Sequence, residues 1–310
     1  MRVLMFGWEF PPHISGGLGT ACFGLTKGLS YIRDLDVLFV VPKTYGDEEW
    51  HNMGLVGADT VPIRQRKLNL QHFSKKLDYI EVGSRIMPYT DPDEYFEVKK
   101  SKQEEEAFQY VQTDEFGRIP FTGGYGKSLL EEIHQYALVS NVIAQDYAFD
   151  LIHAHDWLTY PAGIAAKEAT GKPLIIHVHA TDFDRSGGSV NPAVFDIEKR
   201  GMEAADQIIS VSNLTRRTII EKYGISPEKV TTVYNAVEPV EYKEEPVFKK
   251  GVNEKIVTFL GRITMQKGPE YFVEAAHKVL QKADNVRFVM AGSGDMMHRM
   301  VRRAAQLEIM

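Results

Sequence analysis

The sequence predicts an α/β protein in which parallel strands form a sheet with helices on both faces, followed by a second, smaller unit of the same kind. Short continuous apolar runs alternate with segments whose apolar residues recur at helical spacing. Strands that are apolar along their whole length are typical of parallel sheets, because both faces of such a sheet are buried. The same alternation begins again after a polar, proline-containing stretch at residues 238–254, which has the composition of a linker.

Each element of the first unit follows from one of these two patterns. The apolar runs predict strands, and apolar residues three or four positions apart, such as Cys22, Leu25 and Leu29, predict helices. In chain order, the predicted elements are strand Val3–Phe6, helix Gly19–Ile32, strand Val37–Val41, helix Lys127–Gln145, strand Leu151–Ala154, helix Pro161–Ala169, strand Leu174–Val178, helix Pro192–Ala205, strand Gln207–Val211, helix Asn213–Tyr223 and strand Val230–Tyr234. Each crossover between parallel strands should be right-handed.

The second unit is short. Its predicted elements are strand Lys255–Leu260, helix Pro269–Ala283, strand Val286–Ala291 and helix Asp295–Leu307. Two strands and two helices are too few for an independent core. We therefore expect a chain that is truncated at its C-terminus, from a natural protein that continues for about a hundred residues or more. The 310 residues divide into a first domain at 1–240 and a partial second domain at 255–310.

Residues 43–126 interrupt the alternation of the first unit. This stretch is long and polar, and it contains the charge run Lys99–Glu106. We expect an irregular excursion with a solvated helix. The alternative is a flap that touches a large substrate, because loops of this length often act as lids or binding surfaces.

Composition and charge exclude several classes of protein. With 36 Lys and Arg against 42 Asp and Glu, the net charge is −6, which argues against a nucleic-acid partner but allows one local basic pocket for an anion. The single cysteine, Cys22, excludes an intrachain disulfide and a thiolate metal cluster. No apolar run approaches the roughly 20 residues of a membrane span, and Met1–Phe10 lacks the features of a signal peptide. The sequence therefore predicts a cytoplasmic protein without an integral membrane segment.

A glycine-rich loop, Gly7–Gly19, joins the first strand to the first helix. Gly16 and Gly17 would let the backbone approach a ligand closely, and the helix N-terminus adds a partial positive charge that suits a phosphate. The spacing is neither the dinucleotide-binding fingerprint nor a Walker loop, so a plain NAD oxidoreductase is disfavoured. A tight strand-to-helix turn is an equal alternative for this loop.

Polar residues follow two later strands, at the edge where ligands of open parallel sheets bind. Asp156 comes after one strand and is expected to face the cleft, and His179 comes after the next. A carboxylate and an imidazole there suit hydrogen bonds to sugar hydroxyls, whereas Trp157 is expected to lie in the core rather than to stack on a sugar. His153, His155, His177 and His179 suggest a metal site, because alternate residues on a strand share a face. We nevertheless predict no metal, since the alternation can place one histidine of each pair in the core.

Two cations follow the first strand of the second unit. Arg262 and Lys267 lie on one loop and can neutralise a departing diphosphate, through a bidentate guanidinium and a point charge. The alternative is two ordinary surface cations. Downstream, Gly292–Asp295 is either a phosphate or ribose contact or a turn.

Five segments occur in an order that resembles the retaining glycosyltransferases with two Rossmann-like domains, the GT-B fold, and in particular the glycogen and starch synthases and related sugar transferases. They are Gly16–Leu18, His153–Trp157, the strand that leads to His179, Tyr234–Glu238 and Gly261–Gly268. The resemblance covers nearly the whole chain. It implies two Rossmann-like domains, of which the second is incomplete here.

The resemblance also implies roles for individual residues. Arg262 and Lys267 match the pair that holds the donor diphosphate, His179 matches the histidine beside the transferred sugar, and Asp156 matches an aspartate near sugar and acceptor. These four are the implied catalytic residues. The implied substrate-binding residues are Gly16, Gly17, Leu18, Asn235 and Gly261.

By the same resemblance, the protein would transfer a sugar, expected to be glucose, with retention from ADP-glucose or UDP-glucose to a glycan acceptor, without a cofactor. Two features depart from the synthases: Ile14 stands where they have a lysine, and no Glu-x-Phe-Gly motif follows Lys267. The alternatives are a sugar-nucleotide epimerase of the same fold and an inactive sugar- or nucleotide-binding fragment.

Overall fold

The structure is a computed structural model, and it describes residues 1–14, 16–48, 53–63, 113–126, 128–237 and 251–310. The chain divides into two compact units. Among the described residues, the first unit contains those up to Thr181 together with 191–237, and the second contains 182–190 together with 251–310. None of the helices in these ranges is both long enough and apolar enough to cross a membrane.

The first unit is built on a seven-stranded parallel sheet. Its strands are Arg2–Phe6 (β1), Asp36–Val41 (β2), Gly54–Gly57 (β3), Leu151–His155 (β4), Leu174–Val178 (β5), Gln207–Ser210 (β6) and Val230–Thr232 (β7). Their order across the sheet is β3-β2-β1-β4-β5-β6-β7, and every neighbouring pair is parallel. This confirms the predicted α/β class with a parallel sheet.

The helices begin and end at residues whose chemistry favours those positions. They are Gly17–Leu29 (α1), Leu129–Asp146 (α2), Tyr160–Thr170 (α3), Asp182–Ser186 (α4), Pro192–Ala204 (α5), Asn213–Tyr223 (α6), Pro269–Leu280 (α7) and Met297–Gln306 (α8). The Ser212 side chain accepts a hydrogen bond from the Thr215 amide at 3.0 Å and so caps α6. Gly171 and Gly224 end α3 and α6 with φ of 68° and 73°, a conformation that glycine adopts readily.

One strand, β3, lies inside the stretch 43–126 that we expected to be irregular. It pairs in parallel with β2, with Leu38 beside Gly54 and Val41 beside Gly57. The segment has only four residues, two of them glycine, so its sequence does not predict a strand. Its strand conformation depends on pairing with β2. The expected solvated helix and flap, and most of the linker, fall at 64–112 and 238–250, outside the described residues.

The strand order reverses between β1 and β4. The chain builds β2 and β3 on one side of β1, and then returns to place β4 and the later strands on the other side. The carboxyl ends of the two central strands are where ligands bind in open α/β sheets, since the connections leave there in opposite directions. The Gly7–Gly19 loop and Asp156 follow these two strands directly.

Helix α2 holds this edge of the sheet in place from one face. The buried Tyr136 hydroxyl lies 3.1 Å from the Gly7 carbonyl and 2.7 Å from the Val40 carbonyl, at the ends of β1 and β2. On the opposite face, Cys22 of α1 shares a core cluster with Met5 of β1 and with Phe39, its neighbour on β2. The loop that leaves β1 is therefore fixed at its origin by the packing of both faces.

The second unit contains a two-stranded parallel sheet. Strands Lys255–Leu260 (β8) and Val286–Ala291 (β9) pair along their whole length, and α7 and α8 follow them. A small core unites Ile263, Val273, Met296 and Met300. Ion pairs join the two helices, with Arg303 2.6 Å from Glu274 and Arg299 2.7 Å from Glu270.

Candidate functional site

The loop after β1 carries a buried carboxylate at the start of α1. Gly16 precedes the helix, Gly17 begins it, and Gly17 is exposed while Leu18 is half-buried. The Glu9 carboxylate is buried and accepts a hydrogen bond from the Gly19 amide at 3.2 Å. One of the amides that the first turn of a helix leaves unsatisfied is therefore already bonded, and Glu9 partly offsets the positive charge of the helix end. Contact of Gly16, Gly17 and Leu18 with a phosphate stays a prediction.

Packing requires a glycine at position 19, the last residue of this loop. A Cβ at this position would lie 2.4 Å from Cγ2 of Ile14 and 3.1 Å from Cγ of Glu9, whereas a Cβ at Gly24, on the exposed side of α1, would meet no atom within 4 Å. We expect Gly19→Ala to lower the free energy of unfolding by about 1–3 kcal/mol, because the added methyl overpacks the site. Gly24→Ala should raise it by about 0.5–1 kcal/mol. Urea unfolding of both variants measures the difference, and equal midpoints would contradict this packing.

Asp156 joins the ends of β4 and β5. Its φ is 60°, a left-handed conformation that aspartate tolerates better than most residues, and its side chain is buried. The carboxylate Oδ1 accepts hydrogen bonds from the amides of His179 at 2.7 Å and Ala180 at 3.4 Å, while the Asp156 amide donates to the His177 carbonyl at 2.9 Å. The structure thus brings together two of the predicted site residues, Asp156 and His179. Next to them, Trp157 is buried, as expected of a core residue.

Four histidines form one cluster on a single face of the sheet. His155 lies directly beside His177 in the register of β4 and β5, and residues two apart on a strand share a face, so His153 and His179 join them. Neighbouring ring centroids are 4.3–5.5 Å apart, and Nδ1 of His155 lies 3.0 Å from Nε2 of His179. The expectation that one histidine of each pair enters the core is wrong for His153 and His155, which are both buried and face the same way. Three are buried and His179 is half-buried.

The cluster is electrically neutral at ordinary pH. Burial lowers the pKa of His153 and His177 to about 3 and that of His179 to about 4, and it holds the pKa of His155 well below its usual value. Repulsion from neighbouring histidines lowers the pKa of His153, His155 and His177 further. Cys22 lies nearby, and burial, with the Asp156 and Glu9 carboxylates, raises the pKa of its thiol.

In the second unit, the loop after β8 carries the two predicted cations. Arg262 is half-buried, and Lys267 is exposed at the end of the turn Met265–Lys267. Gly268 follows with φ of 63° and begins α7. The cations therefore occupy a short segment between a strand and a helix N-terminus, a position that is typical of anion sites.

Backbone contacts with the loop after β9 fix this segment. The Ile263 amide donates to the Ser293 carbonyl at 2.8 Å, and the Gly261 amide donates to the Ala291 carbonyl at 3.1 Å. A Cβ at Gly292 would lie 1.9 Å from the Gly261 carbonyl oxygen, so only glycine permits this approach. The Gly292–Asp295 motif thus has a packing role, as the backbone partner of the segment that carries Arg262.

The predicted residues fall into four groups, of which Gly16, Gly17 and Leu18 form one at the start of α1. Asp156 and His179 are joined by a hydrogen bond, and Gly261, Arg262 and Lys267 share one loop of the second unit. Asn235 lies after β7 and is exposed. Sequence reasoning missed Glu9, whose signal was a charged residue between the aromatic residues Trp8 and Phe10 directly after a buried strand.

Two family models match adjoining parts of the chain. The model of Glycosyltransferase Family 4 matches residues 97–241, and that of Glycosyl transferases group 1 matches residues 241–310. The junction falls within the predicted linker, where the first unit gives way to the second. Together the two models cover the chain from residue 97 to its last residue.

Curated relatives match almost the entire chain. An uncharacterized glycosyltransferase of Methanocaldococcus jannaschii is 26% identical over 309 residues, which are 96% of this chain and 64% of the relative. A glycogen synthase of Mycobacterium tuberculosis is 23% identical over 100% of this chain and 66% of its own length. The chain therefore spans just under two thirds of the length of these relatives.

Solved structures share the fold. HepE of Anabaena, crystallised in complex with UDP and glucose, matches with a TM-score of 0.62 and 15% identity over 100% of this chain and 67% of its own. Sucrose-phosphate synthase of Thermosynechococcus elongatus matches with a TM-score of 0.62 and 13% identity over 99% of this chain and 68% of its own. With the order of motifs, the parallel sheet and the two family models in agreement, the chain belongs to the glycosyltransferases of the GT-B fold.

Proposed function

We propose that the whole protein is a retaining glycosyltransferase that moves glucose from ADP-glucose or UDP-glucose to a glycan acceptor. The observation that carries the proposal is the segment Gly261–Gly268, in which backbone contacts hold two cations between a parallel strand and a helix N-terminus. The names of two similar proteins support the substrates: one structure holds UDP and glucose, and one curated relative is a glycogen synthase.

The chemical task of such an enzyme is to break the bond between the anomeric carbon and a diphosphate. Negative charge grows on the leaving phosphate in the transition state, and cations that are already in place lower the barrier. In this proposal, Arg262 grips two phosphate oxygens with its planar guanidinium, and Lys267 adds a point charge. We expect the donor to need no divalent ion, because these side chains neutralise the charge.

The first unit supplies the groups that face the sugar in this proposal. Asp156 accepts hydrogen bonds from the amides of His179 and Ala180, so it holds the backbone at the position assigned to the transferred sugar. The lowered pKa of His179 keeps its ring neutral, so the ring acts as a hydrogen-bond partner of a sugar hydroxyl rather than as a cation. The His179 carbonyl supports the positive charge that develops on the ring of the sugar. Retention follows when the acceptor hydroxyl attacks from the face that the diphosphate leaves.

A donor panel tests this function. The full-length protein is incubated with ADP-, UDP- or GDP-glucose, with and without a glucan primer, and both the released nucleotide and the linkage formed are measured. We expect nucleotide release only with primer, from ADP- or UDP-glucose, and an α-linkage by NMR. Release without an acceptor would indicate an epimerase, and donor binding without release would indicate an inactive binding module; either result overturns the proposal.

A further inference from the structure

Three histidines of the cluster place nitrogen atoms around a common point in the interior. One ligand nitrogen from each of His153, His155 and His177 lies within 4.8 Å of the other two. The three side chains are 8%, 0% and 5% exposed. They come from two adjacent strands, so the rigid sheet fixes their positions.

Several nitrogens of this set have no hydrogen-bond partner in the described part of the chain. They are Nε2 of His153, Nε2 of His155, and both Nδ1 and Nε2 of His177. A buried polar atom without a partner destabilises the folded state, so nearly all such atoms in proteins have one. Four orphaned nitrogens in one place therefore indicate that the cluster has a polar occupant.

We propose that His153, His155 and His177 bind a Zn²⁺ ion. Imidazole nitrogen is a preferred ligand of zinc, and three histidines with a water molecule form a common four-coordinate set. Zinc binds imidazole in its neutral form.

The neighbouring histidine supports this assignment. With its proton on Nδ1, His155 donates to Nε2 of His179 at 3.0 Å and leaves the lone pair of Nε2 free for the ion. An outer hydrogen bond of this kind is the usual means by which proteins orient a ligating imidazole. Zinc–nitrogen bonds of about 2.0–2.1 Å place the nitrogens of tetrahedral ligands about 3.4 Å apart. The ligand nitrogens of the three histidines lie within 4.8 Å of one another, so the rings must turn slightly to bring them closer.

A second set, Cys22 with His155 and His179, also brings its ligand atoms within 4.8 Å. One observation favours the three histidines over it. Nδ1 of His155 and Nε2 of His179 already bond to each other, whereas Nε2 of His155 has no partner among the described residues.

The proposed ion has a positioning role rather than a part in the transfer step. It would tie β4 to β5 just before Asp156 and His179, and so hold the backbone that these residues share. The proposal goes beyond the proposed function, and zinc binding is measured without any donor or acceptor. The two can therefore fail separately.

Equilibrium dialysis of the chelator-treated, full-length protein against Zn²⁺ tests the proposal, with Mg²⁺ as the control ion. We expect one equivalent of zinc per chain, a higher melting temperature with zinc than with EDTA, and no effect of magnesium. His153→Phe and His177→Phe, which keep a planar ring, should each lose the bound equivalent. His179→Phe should weaken binding by about 10–100-fold, as the loss of an outer partner does.

A matched control is His134→Phe, which removes a half-buried imidazole from α2, outside the cluster, and should leave the zinc content unchanged. Circular dichroism in EDTA verifies that each variant folds, and the comparison of wild-type melting with zinc and with EDTA needs no variant. Less than one tenth of an equivalent in the wild type, or full binding in both His153→Phe and His177→Phe, would overturn the proposal. So would loss of binding in Cys22→Ser with a thiolate charge-transfer band in the Co²⁺-substituted protein, since that result assigns the ion to the second set.

Discussion

Replacing Arg262 with alanine in the full-length protein is expected to lower kcat for sugar transfer by about 10²–10³-fold, and Lys267→Ala should have an effect of the same order. Each change removes a cation that is already in place for the charge on the leaving diphosphate, and the loss of one such group typically has this magnitude. Steady-state kinetics with saturating donor and acceptor measures the effect. Arg262→Lys should lose less, because it keeps the charge and loses only the bidentate geometry.

Matched controls separate this effect from a general loss of positive charge. Arg302 on α8 and Lys278 on α7 are exposed cations of the same unit, and their alanine variants should transfer sugar at the wild-type rate. Backbone contacts hold the loop in place, so Arg262→Ala should still unfold in one cooperative transition, which thermal unfolding verifies. Wild-type turnover in both Arg262→Ala and Lys267→Ala would remove the mechanism.

Asp156→Ala is expected to lower the free energy of unfolding by about 2–4 kcal/mol and to abolish transfer. The change leaves the amides of His179 and Ala180 without their acceptor and puts alanine at φ of 60°, which costs more for alanine than for aspartate. Denaturant unfolding measures the first effect and a donor assay the second. Because the carboxylate is buried and its partners are backbone groups, the stability loss should be far larger than for an exposed aspartate.

Asp156→Asn distinguishes the negative charge from the hydrogen bonds. Asparagine keeps an oxygen acceptor at the same place and tolerates the left-handed conformation, so we expect unfolding within about 1 kcal/mol of the wild type. If the charge itself assists catalysis, transfer should fall while stability is retained. Equal destabilisation of Asp156→Asn and Asp156→Ala would contradict the hydrogen-bond role that the structure gives to Oδ1.

The sequence predicted most of the strands and helices that position the site, but few of the contacts within it. Most predicted strands and helices agree with the structure to within a few residues, and Leu174–Val178 and Asn213–Tyr223 agree at both ends. Local signals explain this success: continuous apolar runs, a serine before α6 and glycines after α3 and α6. Strand β3 has none of these signals, since its formation depends on the neighbouring β2.

The contacts of the site depend on residues that are distant in the chain. That Asp156 faces a cleft stays a prediction, and the structure shows its carboxylate buried and bonded to amides 23 and 24 positions later. Glu9 meets an amide 10 positions later, at the beginning of a helix. The sequence shows each polar residue but does not show its partner, because the partner is selected by the folding of the intervening elements.

The sequence by itself determined the α/β class, the order of the elements and the family resemblance, because hydrophobic periodicity and turn residues are local properties of the chain. Only the tertiary structure decided that four histidines share one cluster and that Asp156 supports the backbone at His179. Both facts result from the parallel register of β4 and β5, which sets His155 beside His177. Register is chosen by the packing of the whole sheet, so no short stretch of sequence contains it.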